Sequence, residues 1–231
     1  MRFGLRRLQQ RRDHRRVLGS CCDYEQSADR QFTAAKAAKE LTAYREGRVG
    51  RTTRMLRESV GEHAKHSHSL LDIGGGVGAL AFELLNQGIQ SAVIIDASEA
   101  YVAAAREEAT RRHHARDAEV IHGDFVVLAP ALSEADVVTL DRVVCCYPSF
   151  EPLLREAARL ARHTIALSYP RDRWYVKAAM WLENTKRRRG SGFRTFVHPP
   201  QRLRQIVEGA GFALASRRGT AFWVVDTYSR N

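Results

Sequence analysis

The sequence predicts an α/β fold with a doubly wound, mostly parallel sheet of seven strands, N-terminal helices and a C-terminal antiparallel hairpin. From Leu70 onward, five short apolar runs alternate with amphipathic segments. The runs are rich in β-branched residues and lack polar alternation, which is typical of parallel strands buried on both faces. Residues 213–229 add two strand-like runs. A chain of 231 residues, 44% of them hydrophobic, is long enough to bury one such core.

The chain before this sheet divides into two parts. Residues 1–20 hold seven arginines and one acid, a charge of +6 within the chain's +11, and predict a basic, flexible arm. The alternatives for this arm are that it contacts RNA or an anionic membrane, or that it is an organelle transit segment. Residues 21–68 predict a helical cap, with one helix from Ser27 to Gly47 and a second over 51–60. Residues 69–231 predict the α/β core.

Within the core, apolar runs and helical segments follow one another in a regular order. Strands are predicted over 70–73, 91–96, 118–123, 136–141 and 164–169, and helices over 79–88, 98–112, 150–161, 172–188 and 200–212. The last two strands are expected to join at Arg218-Gly219, a hairpin signal. No run of about 18 apolar residues and no secretory signal is visible, so we expect no membrane span and a cytoplasmic location.

The segment "LLDIGGGVGAL" carries the clearest functional signal. Asp72 ends a strand, and four glycines, Gly74, Gly75, Gly76 and Gly78, precede a helix. Such a turn needs residues that tolerate positive φ and let a ligand approach the backbone. Taken alone, the loop also fits a dinucleotide, with Asp96 about 20 residues downstream for the ribose.

Three features favour a different cofactor. Asp72 would repel a pyrophosphate but attract a cationic amino-acid group. "HGDF" offers Asp124 to a purine amino group and Phe125 to the purine face, and the sheet closes with a hairpin. Together these residues resemble the class I S-adenosylmethionine-dependent methyltransferases, over about Leu70 to Tyr228. The resemblance implies the Rossmann-like methyltransferase fold and S-adenosyl-L-methionine as cofactor.

The resemblance also implies a set of cofactor-binding residues. The loop from Asp72 to Gly78 would hold the methionine part, Asp96 with neighbouring Ala97 the ribose side, and Asp124–Phe125 the adenine. Asp141, at the end of the fourth strand, is expected to contact the cofactor or orient the acceptor; an ion pair with Arg142 is its alternative.

A closer resemblance concerns the acceptor. "LDRVVCCYP", "LSYPRDRW" and "RTFVHPP" are similar to a bacterial subgroup related to magnesium-protoporphyrin IX O-methyltransferases. Those enzymes commonly have a histidine directly before the Tyr-Pro pair, where this chain has Cys146, a departure that argues against a porphyrin acceptor. The Asn/Asp-Pro-Pro-Tyr tetrad of many adenine and glutamine N-methyltransferases is replaced by "CCYP", which argues against DNA-base methylation.

Methyl transfer from a sulfonium is an in-line displacement that requires close positioning, and a base only where the acceptor holds its proton. The predicted catalytic residues are His198, Tyr147 and Asp141. The predicted substrate pocket consists of Tyr44, Cys146, Tyr147, Tyr169, Arg171 and His198, with Tyr24, Phe32, Trp174, Met180 and Trp181 as further walls. A structural role is the alternative for His198, and a surface position for Arg171.

No metal site is expected. The pairs Cys21–Cys22 and Cys145–Cys146 lack the C-x₂-C spacing of zinc ligands, and a cytoplasmic setting disfavours disulfides. The three histidines of "HAKHSH" precede the first strand and are interpreted as part of a solvated linker. Because neighbours on a strand point to opposite faces, we expect only Cys146 of its pair to face the pocket. A thiophilic metal or metalloid acceptor remains an alternative for this pair.

The sequence therefore predicts a methyltransferase with a small-molecule acceptor, methylated on O, N or C. An RNA or protein methyltransferase that uses the basic arm is the main alternative, although nucleic acid is not the favoured partner. The other two alternative functions are an NAD-dependent oxidoreductase and a non-catalytic cofactor-binding regulator.

Overall fold

The computed structural model describes residues 21–188 and 190–230, so the basic arm predicted for residues 1–20 lies outside it. Seven strands form one sheet in the order β3-β2-β1-β4-β5-β7-β6. The strands are β1 Ser69–Ile73, β2 Ser91–Asp96, β3 Ala118–His122, β4 Ala135–Leu140, β5 Ala161–Pro170, β6 Ala213–Gly219 and β7 Trp223–Ser229. The first five are parallel, and β7 is antiparallel to both neighbours. The predicted fold class is confirmed.

Helices cover both faces of the sheet. They are α1 Cys21–Gln31, α2 Ala34–Arg45, α3 Arg51–His63, α4 Ala79–Leu85, α5 Glu99–Arg111, α6 Phe125–Leu128, α7 Phe150–Leu160, α8 Trp174–Arg187 and α9 Pro200–Gly209. Leu71 of β1 packs in one core cluster with α7 and α9, whereas Leu70 packs in another with α3, α4 and α5. Because successive strand residues point to opposite faces, this arrangement explains the lack of polar alternation.

The first predicted helix is wrong in its bounds, because residues 27–47 form parts of two helices. Ser27 does not cap a helix; it lies inside α1, where its Oγ donates to the Tyr24 carbonyl oxygen at 2.8 Å. The helix ends at Gln31, Phe32 forms a bend, and Thr33 is extended, with φ −73° and ψ 163°. The Ser98 hydroxyl donates to the Phe32 carbonyl oxygen at 2.7 Å and so holds the break against the core.

The C-terminal hairpin also turns later than predicted. Arg218 and Gly219 are still paired with β7. The turn follows at residues 220–222, because the Thr220 hydroxyl accepts hydrogen bonds from the backbone N–H groups of Phe222, at 3.2 Å, and Trp223, at 3.0 Å. Within the residues that the structure describes, no helix is long and apolar enough to pass through a lipid bilayer.

Candidate active site

A cavity of about 440 Å³ opens at the carboxyl ends of the parallel strands. In open α/β sheets this edge is where ligands bind, and the volume is in the range of small-molecule sites. Its floor includes the loops after β1, β2 and β4, and its walls come from α1, α2, α8, the segment 193–195 and the β6–β7 turn. Elements distant in sequence therefore meet around one cavity.

The glycines of the first loop have two different functions. Gly74 and Gly76 line the cavity and have φ values of +64° and +59°, in the left-handed region that favours glycine. Gly75 and Gly78 do not line it. A Cβ on Gly75 would lie 2.6 Å from Ile94, and one on Gly78 would overlap the Phe82 ring. A Cβ on Gly74 would also lie 2.4 Å from Val143, and Gly78 has a φ of +80°. Close packing therefore requires glycine at positions 74, 75 and 78, a positive φ favours it at 74, 76 and 78, and the backbone of Gly74 and Gly76 also lines the cavity.

Asp96 ties this loop to the end of β2. One carboxylate oxygen accepts a hydrogen bond from the Gly76 N–H at 2.9 Å, and the other accepts one from the Ser98 N–H at 2.8 Å. Burial raises the pKa of Asp96 to about 6, although both hydrogen bonds oppose the shift. Asp96 and Ala97 both line the cavity, on the side expected for the ribose.

Asp72 lies beneath the loop, buried and outside the cavity wall. Its Oδ1 accepts a hydrogen bond from the Thr139 hydroxyl at 2.6 Å, whereas Oδ2 has no partner. Burial raises the pKa of Asp72 to about 7. A buried carboxylate oxygen without a donor is costly, and a cationic ligand group above the loop would offset that cost. This orphaned oxygen therefore fits the ammonium group of a cofactor bound there.

Replacing Asp72 with asparagine is expected to stabilise the protein at high pH. A carboxyl whose pKa is about 7 in the folded protein and 3.8 in the unfolded chain binds more protons in the folded state, so stability falls as pH rises through that interval. Asp72→Asn should raise the free energy of unfolding by on the order of 2 kcal/mol at pH 8, much less at pH 4, and weaken S-adenosylhomocysteine binding. Urea unfolding at both pH values and calorimetry measure these effects. The control variant is Asp117→Asn, at an exposed site. Equal stabilisation of the protein by Asp72→Asn at both pH values would contradict the assignment.

Asp141 lines the cavity at the end of β4. Its carboxylate accepts hydrogen bonds from the hydroxyls of Ser168, at 2.6 Å, and Thr53, at 2.5 Å, and lies 3.8 Å from the Arg142 Nε. Arg142 is one of two non-glycine residues with positive φ in the described chain, at +61°. Such strain persists where surrounding contacts enforce it and is frequent at functional sites. Here the Ser168 hydroxyl accepts from the Arg142 N–H at 2.7 Å.

The expected adenine-binding pair is buried behind the cavity wall. Asp124 accepts hydrogen bonds from the Val126 N–H, at 2.9 Å, and from the Tyr147 hydroxyl, at 2.8 Å. Phe125 belongs to the core. The Tyr147 ring lies 4.3 Å from that of Tyr24, which does line the cavity. Asp124 is therefore connected to the cavity indirectly, because it hydrogen-bonds Tyr147, whose ring packs against that of Tyr24.

Besides Tyr147, four residues predicted for the substrate pocket or catalysis do not line the cavity, and neither do the predicted wall residues Trp174 and Trp181. The Tyr44 hydroxyl donates to Glu83 at 3.1 Å, and the Tyr169 hydroxyl donates to Asp226 at 2.7 Å. Both tyrosines are buried in the core away from the cavity, because their hydroxyls find acceptors on neighbouring elements. The Arg171 Nε donates to a carbonyl oxygen of the β6–β7 turn at 2.6 Å.

His198 is the fourth. Its Nε2 lies 2.9 Å from the Tyr147 carbonyl oxygen, and its ring stacks between Phe150 and Phe196, with centroids 4.3 and 5.8 Å away. Burial lowers its pKa, so the imidazole is held neutral. The structure brings it to the back of the segment that carries Tyr147, not to the cavity.

Both thiols of the Cys145–Cys146 pair line the cavity, so the prediction that only one would do so is wrong. The pair lies in a 3₁₀ turn after β4, where the side-chain alternation of a strand does not apply. The two Sγ atoms are 3.9 Å apart, and both donate to the Arg142 carbonyl oxygen, at 3.3 and 3.4 Å. Burial and the neighbouring thiol raise the pKa of Cys146, which keeps it protonated.

Several cavity residues were missed by sequence reasoning. They are Ala28, Glu40, Tyr101, Arg142, Val143, Ala179, Glu183, Arg187, Phe193, Thr195, Phe222 and Trp223. Arg187 belongs to a basic run at a helix end, where cations are common for reasons unrelated to function. Its Nε is buried without a partner, while Nη2 lies 3.2 Å from Glu183. No local pattern distinguishes these residues, because α8 and the β6–β7 turn reach the opening only in the folded chain.

Comparisons with known proteins agree with this geometry. Residues 70–164 match the family model described as a methyltransferase domain. No curated protein matches the sequence. The magnesium protoporphyrin IX methyltransferase of Synechocystis PCC 6803, solved with bound SAM, is 18% identical with a TM-score of 0.65, over 90% of this chain and 97% of that chain.

The same enzyme with bound SAH is 20% identical with a TM-score of 0.64, over 78% of this chain and 82% of that chain. A putative methyltransferase of Haloferax volcanii, in complex with the Trm112 methyltransferase activator, is 16% identical with a TM-score of 0.68, over 87% of this chain and 96% of that chain. Residues 70–164 are thus a methyltransferase domain, and the fold around them is the one that the sequence resemblance implied.

Proposed function

We propose that this chain, a class I S-adenosylmethionine-dependent methyltransferase, transfers the methyl group to a small-molecule acceptor held in the cavity. The observation that carries this proposal is the aromatic lining of the cavity. Aromatic rings of Tyr24, Phe32, Phe193 and Trp223 line a volume of about 440 Å³ beside the glycine loop. Such walls suit a small, flat, largely apolar acceptor better than a folded macromolecule.

The residues around the loop fit the cofactor. Bound S-adenosyl-L-methionine supplies a methyl group on a sulfonium, which is transferred by direct displacement. Gly74 and Gly76 would offer backbone to its methionine part, with Asp72 neutralising the ammonium group from below. Asp96 would accept hydrogen bonds from the ribose hydroxyls, beside Ala97. Gly75 and Gly78 would act by packing the loop against β2 and α4.

Asp124 and Phe125 would act on the adenine side indirectly. Both are buried behind the wall, so their proposed contribution is to position Tyr147 and, through its ring, Tyr24. Tyr24 then presents an aromatic face to the cavity. Stacking on such a face favours flat ligands.

Catalysis would rest on positioning and exclusion of water. Of the three catalytic candidates, Asp141 is the one that lines the cavity, and we assign it the orientation of the acceptor. Tyr147 and His198 would hold the segment that carries Cys145 and Cys146. Tyr44, Tyr169 and Arg171 have partners outside the cavity, so their proposed roles are structural.

Calorimetry and a labelling screen test the proposal together. The protein should bind S-adenosylhomocysteine and not NAD, because Asp72 disfavours a pyrophosphate at the loop. With an isotopically labelled methyl donor, the metabolite fraction of a cell extract should gain label and the RNA and protein fractions should not. Label in RNA would replace the small-molecule proposal with RNA methylation, and binding of NAD alone would overturn the methyltransferase assignment.

A further inference from the structure

The outer face of α8 is unusually apolar for an exposed surface. Trp174 and Trp181 are 81% and 69% exposed, and Leu182 is 51% exposed. At 100° per residue, Trp174, Ala178 and Trp181 share one side of the helix, with Leu182 at its margin. Phe222 of the β6–β7 turn, 42% exposed, extends this surface. We call these five residues the α8 patch.

The patch is continuous with the turn through rings in edge-to-face contact. The Tyr175 ring lies 5.9 Å from that of Trp174 and 5.7 Å from that of Phe222. Four of the five apolar side chains that are large and exposed in the described chain belong to the patch; the fifth is Val127. Exposed apolar side chains that cluster in this way mark an interaction surface, whereas scattered ones need no explanation.

The charges around the patch indicate what covers it. Lys186 and Arg188 are exposed along its edges, and Lys177, also exposed, is paired with Asp172. The single acid of α8, Glu183, points the other way and lines the cavity. A helix with tryptophans on one face, cations at its margins and no acid among them is typical of segments that lie in the headgroup region of an anionic membrane.

The position of the patch connects it with the site. Ala179 and Met180 of α8, and Phe222 and Trp223 of the turn, line the cavity. Val176 is the one fully buried residue of this helix. A surface that rests on this helix and turn would therefore lie against the opening of the cavity.

We propose that the α8 patch docks onto an anionic lipid surface, so that the cavity opens towards the membrane interface. Two tryptophans would lie at the headgroup level, where amphipathic rings are favoured. The flanking cations would be attracted to acidic headgroups, and the net charge of +11 would add a long-range attraction. An apolar acceptor could then reach the cavity from the lipid phase.

Vesicle co-sedimentation of the full chain tests this proposal. Vesicles of phosphatidylcholine mixed with phosphatidylglycerol should bind the protein, more weakly as salt rises, and vesicles of phosphatidylcholine alone should bind it far less. The variant Trp174→Ser/Trp181→Ser should lose at least about tenfold in partitioning. Neutralising Lys186 and Arg188 with glutamine should cost about tenfold or more, at roughly fivefold for each charge.

Val127→Ser and Arg155→Gln remove an exposed apolar side chain and an exposed cation outside the patch, and should bind vesicles as the wild type does. Unchanged S-adenosylhomocysteine binding in every variant establishes that each is folded. Three results would overturn the proposal: vesicle binding that the tryptophan variant retains, retention by single-stranded RNA in place of vesicles, or a dimer in solution that the tryptophan variant dissociates.

Discussion

Gly76→Val should reduce S-adenosylhomocysteine affinity and methyl transfer by about a hundredfold or more, the scale expected when a reacting group is displaced by about 1 Å. Gly76 has φ +59°, which a β-branched side chain rarely adopts, and its backbone lines the cavity. A side chain there would also come within 3.4 Å of the Tyr101 ring. Relief of the backbone strain would break the 2.9 Å hydrogen bond from the Gly76 N–H to Asp96. Calorimetry and transfer of labelled methyl groups measure the two losses.

Gly47→Val is the matched control. Gly47 has a similar φ of +77°, but a Cβ there would meet no atom within 4 Å, and the residue lies between α2 and α3. Both substitutions should lower the free energy of unfolding by about 1–2 kcal/mol, the cost of a left-handed backbone for an L-residue. Only Gly76→Val should lose the cofactor. Wild-type affinity in Gly76→Val would disprove the loop assignment.

Asp226→Ala should lower the free energy of unfolding by roughly 2–6 kcal/mol, at about 1–3 kcal/mol for each buried hydroxyl that loses its acceptor. Asp226, on β7, is fully buried and accepts two hydrogen bonds from Arg217, at 2.7 and 2.8 Å. It also accepts hydrogen bonds from the hydroxyls of Tyr169, at 2.7 Å, and Tyr228, at 3.2 Å. Alanine would leave two buried hydroxyls without an acceptor. Urea unfolding at pH 7, followed by circular dichroism, measures the change.

Tyr169→Phe separates this network from catalysis. It removes one donor and leaves the other three contacts, so it should cost about 1 kcal/mol. Methyl transfer should stay near the wild-type rate, because Tyr169 does not line the cavity. A large loss of methyl transfer with unchanged stability would instead support the sequence-based prediction that Tyr169 belongs to the acceptor pocket.

Short-range patterns accounted for most of the fold. Strand and helix bounds agreed to within a few residues wherever an apolar run or a glycine ended an element, as in β2 at Ser91–Asp96. The errors arose where side chains far apart along the chain decide the backbone. Ser98 holds the break before α2, and the Thr220 side chain places the last turn.

The candidate site divides in the same way. The glycine loop and Asp96 were identified from sequence, because a tight turn needs glycine and the chain places the acid one strand later at the same edge of the sheet. From the sequence, His198 and Tyr169 were equally plausible as functional residues. Their burial and partners, which no local pattern encodes, place them behind the wall of the cavity.

By itself, the sequence determined the seven-stranded fold, its order of strands and the glycine loop, because hydrophobic periodicity and glycine torsions act over a few neighbouring residues. Only the tertiary structure decided which side chains face the cavity. Arg142, Arg187 and Phe193 meet there because β4, α8 and the segment after α8 converge at one edge of the sheet. The outward face of α8 is likewise defined only by the tertiary structure, in which the opposite face of the helix lines the cavity.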